Sequence, residues 1–483
     1  MTINVLPDNV FLEIFSFCLS DPTRYPLQRT REWQRLVHVC QSWRRIIFAS
    51  PRRLDLHLSC TYGTPVRQNL IYWPLFFPLI VDYSGSLRHH PVYGFNLAPD
   101  DEDNILAALQ HVDRIHRVKI STTYSTLRIV ATVMQESFPA LTHLELIWDH
   151  KCLPALYPVL PGWFLGGSAP RLRHLHLGGI SFPELPTLLL SARNLVTLQL
   201  EDIFQNDYIS PEAMVAGLAA LTRLRTLSIE FFEETSSPDQ RIRRPDPPMR
   251  AILPALTLFH FKGYYEYLED LLALIDTPIV DNVRIEYFLE EIQVPQLSLF
   301  IGRTANLKLA QFGRARVTFY CQAVVIGLDC PQGEYPQANL SLSFLGPWLD
   351  MQVPCMVHLL GQLDTMFSDV GHLSAHGDNV DLSWRGGRDS IEWLPFFRLL
   401  PAVEELHLSG GVAAYIASAL EDTPEEMVTE VFPALHLLWL DEDNMEDCDE
   451  AMGSIEQFLS SRQLSGRPVT LVNFEGLTAH RRH

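Results

Sequence analysis

Hydrophobic positions in the first 50 residues follow a helical period. One run recurs every three or four residues, the spacing of a single helix face: Val10, Ile14, Phe15 and Cys18. Pro7 precedes this run and suits the first turn of a helix, where its missing N–H costs nothing. A second run follows a polar, proline-containing loop: Trp33, Leu36, Val37, Cys40, Trp43, Ile46 and Ile47. The pattern predicts a helix over about 8–19 and one or two more before Pro51.

After this head, a different template returns along the chain, apolar-x-x-apolar-x-apolar. Its clear copies are Leu141-Leu144-Leu146, Leu172-Leu175-Leu177, Leu195-Leu198-Leu200 and Leu224-Leu227-Ile229. Weaker copies are Ile115-Val118-Ile120, Leu256-Phe259-Phe261, Val280-Val283-Ile285, Val403-Leu406-Leu408 and Leu435-Leu438-Leu440, with partial ones at Asn306–Leu309 and Asn339–Leu342. The central residues of neighbouring clear copies are 31 (Leu144 to Leu175), 23 (Leu175 to Leu198) and 29 (Leu198 to Leu227) residues apart. Near-regular succession at this period predicts stacked leucine-rich repeats.

Each template would place two side chains on the inner face of a short strand, while the residues between strands cover the outside. Segments 210–220, 268–275 and 411–420 fit such covering helices. The asparagine that often follows the template in regular repeats is missing, because these positions hold Asp149, Ile180, Ile203, Phe232, Tyr264, Phe288, Gly411 and Asp443. We therefore predict an α/β chain, with a small N-terminal helical domain followed by an irregular leucine-rich-repeat solenoid, a curved parallel sheet with outer helices.

The domain boundaries follow from the same patterns. Residues 1–52 are predicted to form the helical head, and residues 53–483 the repeat body. Proline, serine and charge are concentrated in residues 233–249, which predicts a flexible surface insertion in the body.

Composition narrows the function classes. The chain has 483 residues, 47% of them hydrophobic and 19% charged, so it can build a large core and is not mainly disordered. A formal net charge of −20 argues against nucleic-acid or anionic-lipid partners. Residues 1–53 nevertheless carry eight arginines against four acids, a balance of +4 that leaves −24 for the remainder. The head and the body are therefore expected to meet different partners.

Cysteine usage and the absence of targeting signals indicate a compartment. Eight cysteines contain no Cys-x-x-Cys pair, so we expect reduced, mostly buried thiols. The apolar stretch Val10–Leu19 has no preceding basic residue and contains Glu13, which is unlike a secretion signal. The apolar stretch Leu70–Val81 is too short for a membrane helix. These features predict a cytoplasmic or nuclear protein without a membrane partner.

Catalytic and metal signatures are weak. The chain lacks a Gly-x-x-x-x-Gly-Lys loop, a Gly-x-Ser-x-Gly elbow and a His-Glu-x-x-His helix. His372 and His376 are four residues apart, but the glycines around them suggest a loop with isolated histidines. The acidic segment 421–450 lacks the ligand order of a calcium loop; it could attract a basic substrate, although a solvated acidic face is favoured. We expect no catalytic residue, cofactor or metal.

Two segments of the head carry a specific resemblance. Residues 6–15, LPDNVFLEIF, and residues 36–46, LVHVCQSWRRI, resemble an F-box. With the repeats, the chain resembles F-box proteins with degenerate leucine-rich repeats that are numerous in mushroom-forming fungi. The resemblance implies the substrate-recognition subunit of a Skp–cullin–F-box ubiquitin ligase, in which the repeats bind a protein substrate. The implied contacts with the Skp adaptor are Leu6, Pro7, Val10, Ile14, Phe15, Leu36, Val37, Cys40, Trp43, Ile46 and Ile47.

Two other functions stay open at this point. The chain could be a non-catalytic repeat scaffold outside any ubiquitin ligase, with the head packed on the first repeats. It could also be a hydrolase or metal enzyme with dispersed residues, which would need a deep polar pocket with perturbed ionisable groups.

Overall fold

The computed structural model describes a large part of the chain in two compact units, residues 1–209 and 210–483. The described residues are 6–19, 35–50, 54, 57–61, 78–83, 99–148, 157–204, 208–232, 250–288, 293–309, 312–329, 339–345, 349–377, 393–441 and 448–473. The predicted insertion, 233–249, lies outside them. Both units combine helices with a mostly parallel sheet, so the predicted α/β class is confirmed. The predicted boundary between head and body at residue 52 stays a prediction.

The described part of the head includes the helices α1 (Asp8–Leu19) and α2 (Gln41–Ala49), with one further helical turn at 35–37. Helix α1 has the predicted bounds, and Pro7 accepts the first backbone hydrogen bonds from Val10 and Phe11. The second apolar run is divided at Cys40, whose extended backbone precedes α2 and whose Sγ accepts from the Trp43 N–H at 3.4 Å. Cys40 therefore caps α2 in the way that a short polar side chain caps other helices.

Among its described residues, the first unit has six parallel strands that pair in chain order. They are β1 (Leu58–Cys60), β2 (Leu79–Tyr83), β3 (Ile115–Thr122), β4 (His143–Trp148), β5 (His174–Gly178) and β6 (Thr197–Ile203). The helices between strands are α3 (Pro99–Leu109), α4 (Tyr124–Val133) and α5 (Leu185–Ser191), with a short 3₁₀ segment at Phe164–Gly167. Leucines at the template positions stand in register, because Leu144 pairs with Leu175 and Leu175 with Leu198.

The second unit continues the strand-and-helix alternation. Its strands are β7 (Thr226–Phe231), β8 (Ala251–Ile252), β9 (Leu258–Gly263), β10 (Ile275–Asp276), β11 (Asn282–Tyr287), β12 (Arg314–Tyr320), β13 (Ala323–Asp329), β14 (Leu340–Leu345), β15 (His372–Gly377), β16 (Glu405–Gly410), β17 (Leu437–Asp441) and β18 (Thr470–Asn473). Its helices are α6 (Pro211–Leu218), α7 (Tyr265–Leu274), α8 (Pro295–Arg303), α9 (Ala305–Leu309), α10 (Leu349–Gln362), α11 (Asp364–Phe367), α12 (Leu394–Arg398), α13 (Val412–Glu421) and α14 (Cys448–Leu464). Three of the predicted covering helices are α6, α7 and α13.

The order of strands in the second unit is reversed locally, which the repeat pattern did not predict. The sheet runs β7-β9-β11-β14-β13-β12-β15-β16-β17-β18, and β8 pairs separately with β10. Strand β13 is antiparallel to both β12 and β14, whereas β14 is parallel to β11 and β12 is parallel to β15. The partial template at Asn306–Leu309 was wrong as a strand, because it falls in the short helix α9.

The two faces of each sheet differ in burial. Side chains on one face are buried, including template residues such as Leu144, Leu227 and Leu406. Helices α4, α7 and α13 contact strands β4, β9 and β16, which gives the α/β core. On the other face, here called the open face of each unit, the side chains are mostly half-exposed and polar. The alternation follows from the two-residue period of a strand.

Charged side chains form hydrogen bonds with free backbone groups at the ends of neighbouring helices. Glu269 of α7 is buried and accepts from the backbone N–H groups of Gln296, at 2.5 Å, and Leu297, at 3.0 Å, in the first turn of α8. Arg303 at the end of α8 donates to the carbonyls of Leu272 and Ile275 at the end of α7. The first and last turns of a helix leave backbone groups unbonded, so these charges stabilise the packing of α8 beside α7, with the two helices running in the same direction.

The cysteines and the helices add two further findings. Five cysteines with described side chains are free: Cys18, Cys40, Cys60, Cys321 and Cys355. Only Cys60 among these five is buried, so the expectation of mostly buried thiols was wrong for them. Cys18 and Cys40 of the head are exposed, and Cys321 and Cys355 are half-buried. Among the described helices, none has both the length and the apolar composition that a membrane crossing needs.

A buried arginine fixes the last described helix. Arg462 of α14 has a relative exposure of 0%. Its two terminal nitrogens donate to four backbone carbonyls at 3.1 to 3.5 Å: Val428, Val431, Phe432 and Leu435. Burial lowers the pKa of the Arg462 guanidinium from its usual value, but an arginine stays charged at neutral pH. These bonds attach α14 to the turns that precede β17.

We predict that Arg462→Met lowers the free energy of unfolding by about 3 kcal/mol, because four buried carbonyls lose their donors. Arg462→Lys should recover little, since one ammonium group cannot reach all four. Urea unfolding followed by circular dichroism measures the change. The control is Arg467→Met, because the exposed Arg467 donates to a single carbonyl, that of Pro433, at 3.0 Å. Equal midpoints for both variants would contradict the role of Arg462.

Candidate functional site

An aromatic cluster holds the two helices of the head together. Phe15 of α1 and Trp43 of α2 have ring centroids 4.9 Å apart at an interplanar angle of 62°. Phe11 lies 5.9 Å from Phe15 and 6.1 Å from Trp43, so the three rings pack in edge or tilted geometry. Such pairs contribute beyond the apolar area that they bury. The described part of the head therefore has a small core of its own.

The eleven residues expected to contact the Skp adaptor divide by exposure. Buried within the chain are Phe15, Val37, Ile46 and Ile47. Half-buried are Val10, Leu36 and Trp43. Exposed are Leu6, Pro7, Ile14 and Cys40. The four buried residues build the head and offer no surface to a partner, whereas the exposed and half-buried ones remain accessible within the described residues.

The exposed apolar residues of the head form a set that is called the apolar strip below. It consists of Leu6, Ile14, Phe17 and Val39, with relative exposures of 38%, 39%, 86% and 59%. Ile14 and Phe17 are three residues apart and share one side of α1. The sequence interpretation missed Phe17 and Val39, although Phe17 continues the spacing of Val10 and Ile14. Large, fully exposed phenylalanines are unusual in a surface helix without a partner.

The open face of the first unit carries a row of alternating charges. Lys119 of β3 pairs with Glu145 of β4 at 2.9 Å. His176 of β5 lies 3.9 Å from Glu145 and 3.0 Å from Glu201 of β6. Because parallel strands bring equivalent positions side by side, each charge meets an opposite or titratable neighbour. The row therefore places one lysine, one histidine and two carboxylates side by side and exposes mainly hydrogen-bonding groups.

A histidine pair lies beside this row. His143 of β4 and His174 of β5 stack with ring centroids 4.0 Å apart and an interplanar angle of 20°. Burial, the neighbouring His174 and the charges of Arg117 and Arg173 lower the pKa of His143 from 6.5 to about 4. The pKa of His174 is also lowered, by burial and by the same arginines. Both imidazoles are neutral at physiological pH.

The second unit places two histidines and a glutamate together on its open face. His372 of β15 is not in a loop, as its glycine neighbours suggested, but in a strand that is in register with β16. Its Nδ1 lies 3.2 Å from Oε2 of Glu405, and its ring centroid lies 4.8 Å from that of His407. His376 is separate from this group and its Nδ1 lies 2.9 Å from the Ser409 hydroxyl. The histidines were identified in the sequence, but Glu405 and His407 were missed because strand pairing across 33 residues brings them close.

The environment of this group keeps the His407 imidazole in the neutral form. Burial and the nearby His372 lower the pKa of His407 to about 4, although Glu405 and Asp441 act in the opposite direction. Trp439 of β17 packs against His407, with ring centroids 5.1 Å apart. A neutral imidazole beside a carboxylate can bind a proton, a metal ion or a hydrogen-bonding partner.

Comparison with known proteins assigns no family. No family model matches the chain, and no curated protein matches it.

We predict that His143 titrates with a midpoint near 4, whereas the same residue in the unfolded chain titrates near 6.5. A lowered pKa in the folded state means that stability is complete above 6.5 and falls as the pH decreases from there towards 4. NMR titration of the histidine ring protons, assigned through His143→Gln, measures the midpoint. Arg173→Ala should raise it, because one repelling charge is removed. A midpoint near 6.5 in both proteins would contradict the proposed environment.

Proposed function

We propose that this protein is the substrate-recognition subunit of a Skp–cullin–F-box type ubiquitin ligase. The head binds the Skp adaptor and the body binds a protein substrate through its irregular leucine-rich-repeat solenoid. The chain itself performs no catalytic step, since its role is to bring the substrate close to the ligase. Such a role belongs to the cytoplasm or the nucleus.

The apolar strip of the head is the observation that carries this proposal. An amphipathic helix can dock in the hydrophobic groove of a partner through residues spaced three or four apart. Ile14 and Phe17 have this spacing on α1, Leu6 lies two residues before the helix begins, and all three are exposed in the described part of the chain. Burying one such side chain contributes about 1.5 to 3 kcal/mol, so three of them can support specific binding.

The aromatic cluster supports the proposal, because it packs the head with residues other than those of the apolar strip. Phe11, Phe15 and Trp43 are used for packing between α1 and α2, so the strip is available without unfolding the pair. Because Trp43 is half-buried by this packing, its shielding does not by itself favour the scaffold alternative. The net +4 charge of residues 1–53 would accelerate binding to the acidic adaptor of the family, mainly through the association rate.

The open faces are the surfaces that we assign to substrate binding. Their charges occur in neutralised rows, such as Lys262 of β9 with Glu286 of β11 at 2.8 Å. Glu430, which belongs to the acidic segment 421–450, is likewise paired, with Arg398 at 3.3 Å. This arrangement favours a substrate that is read by hydrogen bonds and histidines over one that is attracted by bulk charge. The acidic segment 421–450 is the surface that could attract a basic substrate.

We predict that Phe17→Asp reduces capture of the purified Skp adaptor by the full chain at least about tenfold, because a charge is placed in the apolar contact. A pull-down with immobilised adaptor measures the effect, and Leu6→Ala with Pro7→Ala should weaken capture in the same direction. The matched control is Leu190→Asp, since Leu190 is a 51% exposed leucine on α5, away from the head. Removal of residues 1–50 should abolish capture.

Two results would contradict these assignments. If the wild-type chain and Phe17→Asp capture the adaptor equally, the assignment of the contact to the apolar strip is wrong. If neither binds while both are folded by circular dichroism, the adaptor role itself is wrong. The scaffold outside a ubiquitin ligase would then be the remaining assignment. Trp43→Ala is less suitable as the main test, because it removes part of the aromatic cluster and can unfold the head.

A further inference from the structure

His372, Glu405 and His407 together offer the side-chain atoms of a metal-binding site. The sequence alone did not show that they lie together. One ligand atom from each of the three side chains lies within 4.8 Å of the other two. Two imidazole nitrogens and one carboxylate oxygen are the ligands that Zn²⁺ and related divalent transition metals take in open sites. This group is the only such cluster of three or more in the described part of the chain.

The strand geometry holds the three ligands on one face. His372 and Glu405 are directly paired between β15 and β16, and His407 is two residues further along β16. Residues two apart in a strand point to the same side, so all three side chains stand on the open face of the second unit. The backbone of both strands is fixed in the sheet by neighbours on either side. The site therefore rests on rigid elements, which is what precise metal ligation needs.

The distances are close to those of a bound ion. Ligand atoms in a tetrahedral zinc site are about 3.3 Å apart, which follows from bond lengths near 2.0 to 2.1 Å. His372 Nδ1 and Glu405 Oε2 are already separated by 3.2 Å. For the widest pair, the side chains must move together by about 1.5 Å. Rotation about the side-chain bonds of half-exposed residues can supply this movement without a change in the strands.

The surroundings are compatible with a cation. Asp441 of β17 contributes negative charge near His407. Trp439 covers one side of the His407 ring and restricts its rotation. On the opposite side, Arg314 of β12 is in register with His372, but its side chain is exposed, so solvent weakens its repulsion. The carboxylate of Glu405 lies nearest to the imidazoles.

We propose that His372, Glu405 and His407 bind one divalent transition-metal ion, with Zn²⁺ as the best fit. The three ligands come from the sheet side, so at least one coordination position faces solvent. Water can occupy that position, or a histidine, cysteine or carboxylate of a bound protein can replace the water. The ion would then connect a partner to the open face of the second unit. This site goes beyond the proposed adaptor binding and does not depend on it.

Zinc binding by the full chain tests this proposal. The chain is stripped of metal with a chelator and titrated with Zn²⁺ by calorimetry, beside His407→Ala and Glu405→Gln. The wild type should bind one more equivalent than either variant, or bind that equivalent at least about tenfold more tightly. The matched control is His260→Ala. His260 also pairs with a carboxylate on the open face, Glu230 at 3.1 Å, but it is not part of a cluster of three ligands.

A second measurement separates this site from other histidines and cysteines. Co²⁺ replaces Zn²⁺ in such sites and reports its ligands by visible and near-ultraviolet absorption. In His407→Cys, the bound Co²⁺ should gain a thiolate charge-transfer band that the wild type lacks, because sulfur becomes a ligand. Equal zinc stoichiometry and affinity in wild type and His407→Ala, or no new band in His407→Cys, would overturn the proposal. Adaptor capture in chelator should be unchanged, so the two hypotheses fail independently.

Discussion

In each unit, the buried side chains on one face of the parallel strands stand in rows that continue from strand to strand. Leu144, Leu175 and Leu198 form part of such a row in the first unit. A shift of one residue in any strand would turn its apolar side chains to the open face, so burial fixes the register. The helices, the caps and the polar face all depend on this register. A buried leucine contributes about 1.5 to 3 kcal/mol, which makes the row a strong constraint even where other repeat features are missing.

Because the register is fixed by apolar side chains, charged residues can be used at the ends of the elements. Glu269 and Arg303 satisfy helix ends in the second unit, and Arg462 of α14 donates to backbone carbonyls of the turns that precede β17. These charged groups are irregular in position. The second unit also accommodates the antiparallel strand β13, whose two neighbours supply its backbone hydrogen bonds. The buried face of the sheet is thus kept while the segments between strands vary.

The half-exposed faces and the apolar strip are available for function because they are not needed for this core. The histidines of the open face have neutral imidazoles where burial and nearby cations lower the pKa, as for His143. His372 and His407 also lie beside the carboxylate of Glu405, which makes these three residues a candidate ligand set. In the head, Phe11 and Phe15 of α1 pack in the aromatic cluster, whereas Ile14 and Phe17 of the apolar strip are exposed. The proposed adaptor and metal sites therefore lie on different elements and use different chemistry.

The sequence by itself determined the first helix, the template strands and the α/β class, because their apolar periods are local and are fixed by burial of one face. The apolar period also identified most of the apolar residues on the head helices. It could not separate Phe15, which packs inside, from Ile14, which is exposed. Only the tertiary structure decided the reversed order of β12, β13 and β14, since strand pairing is not local. For the same reason, the sequence could not bring Glu405 and His407 to His372. Residues 33 positions apart become neighbours only when the strands align.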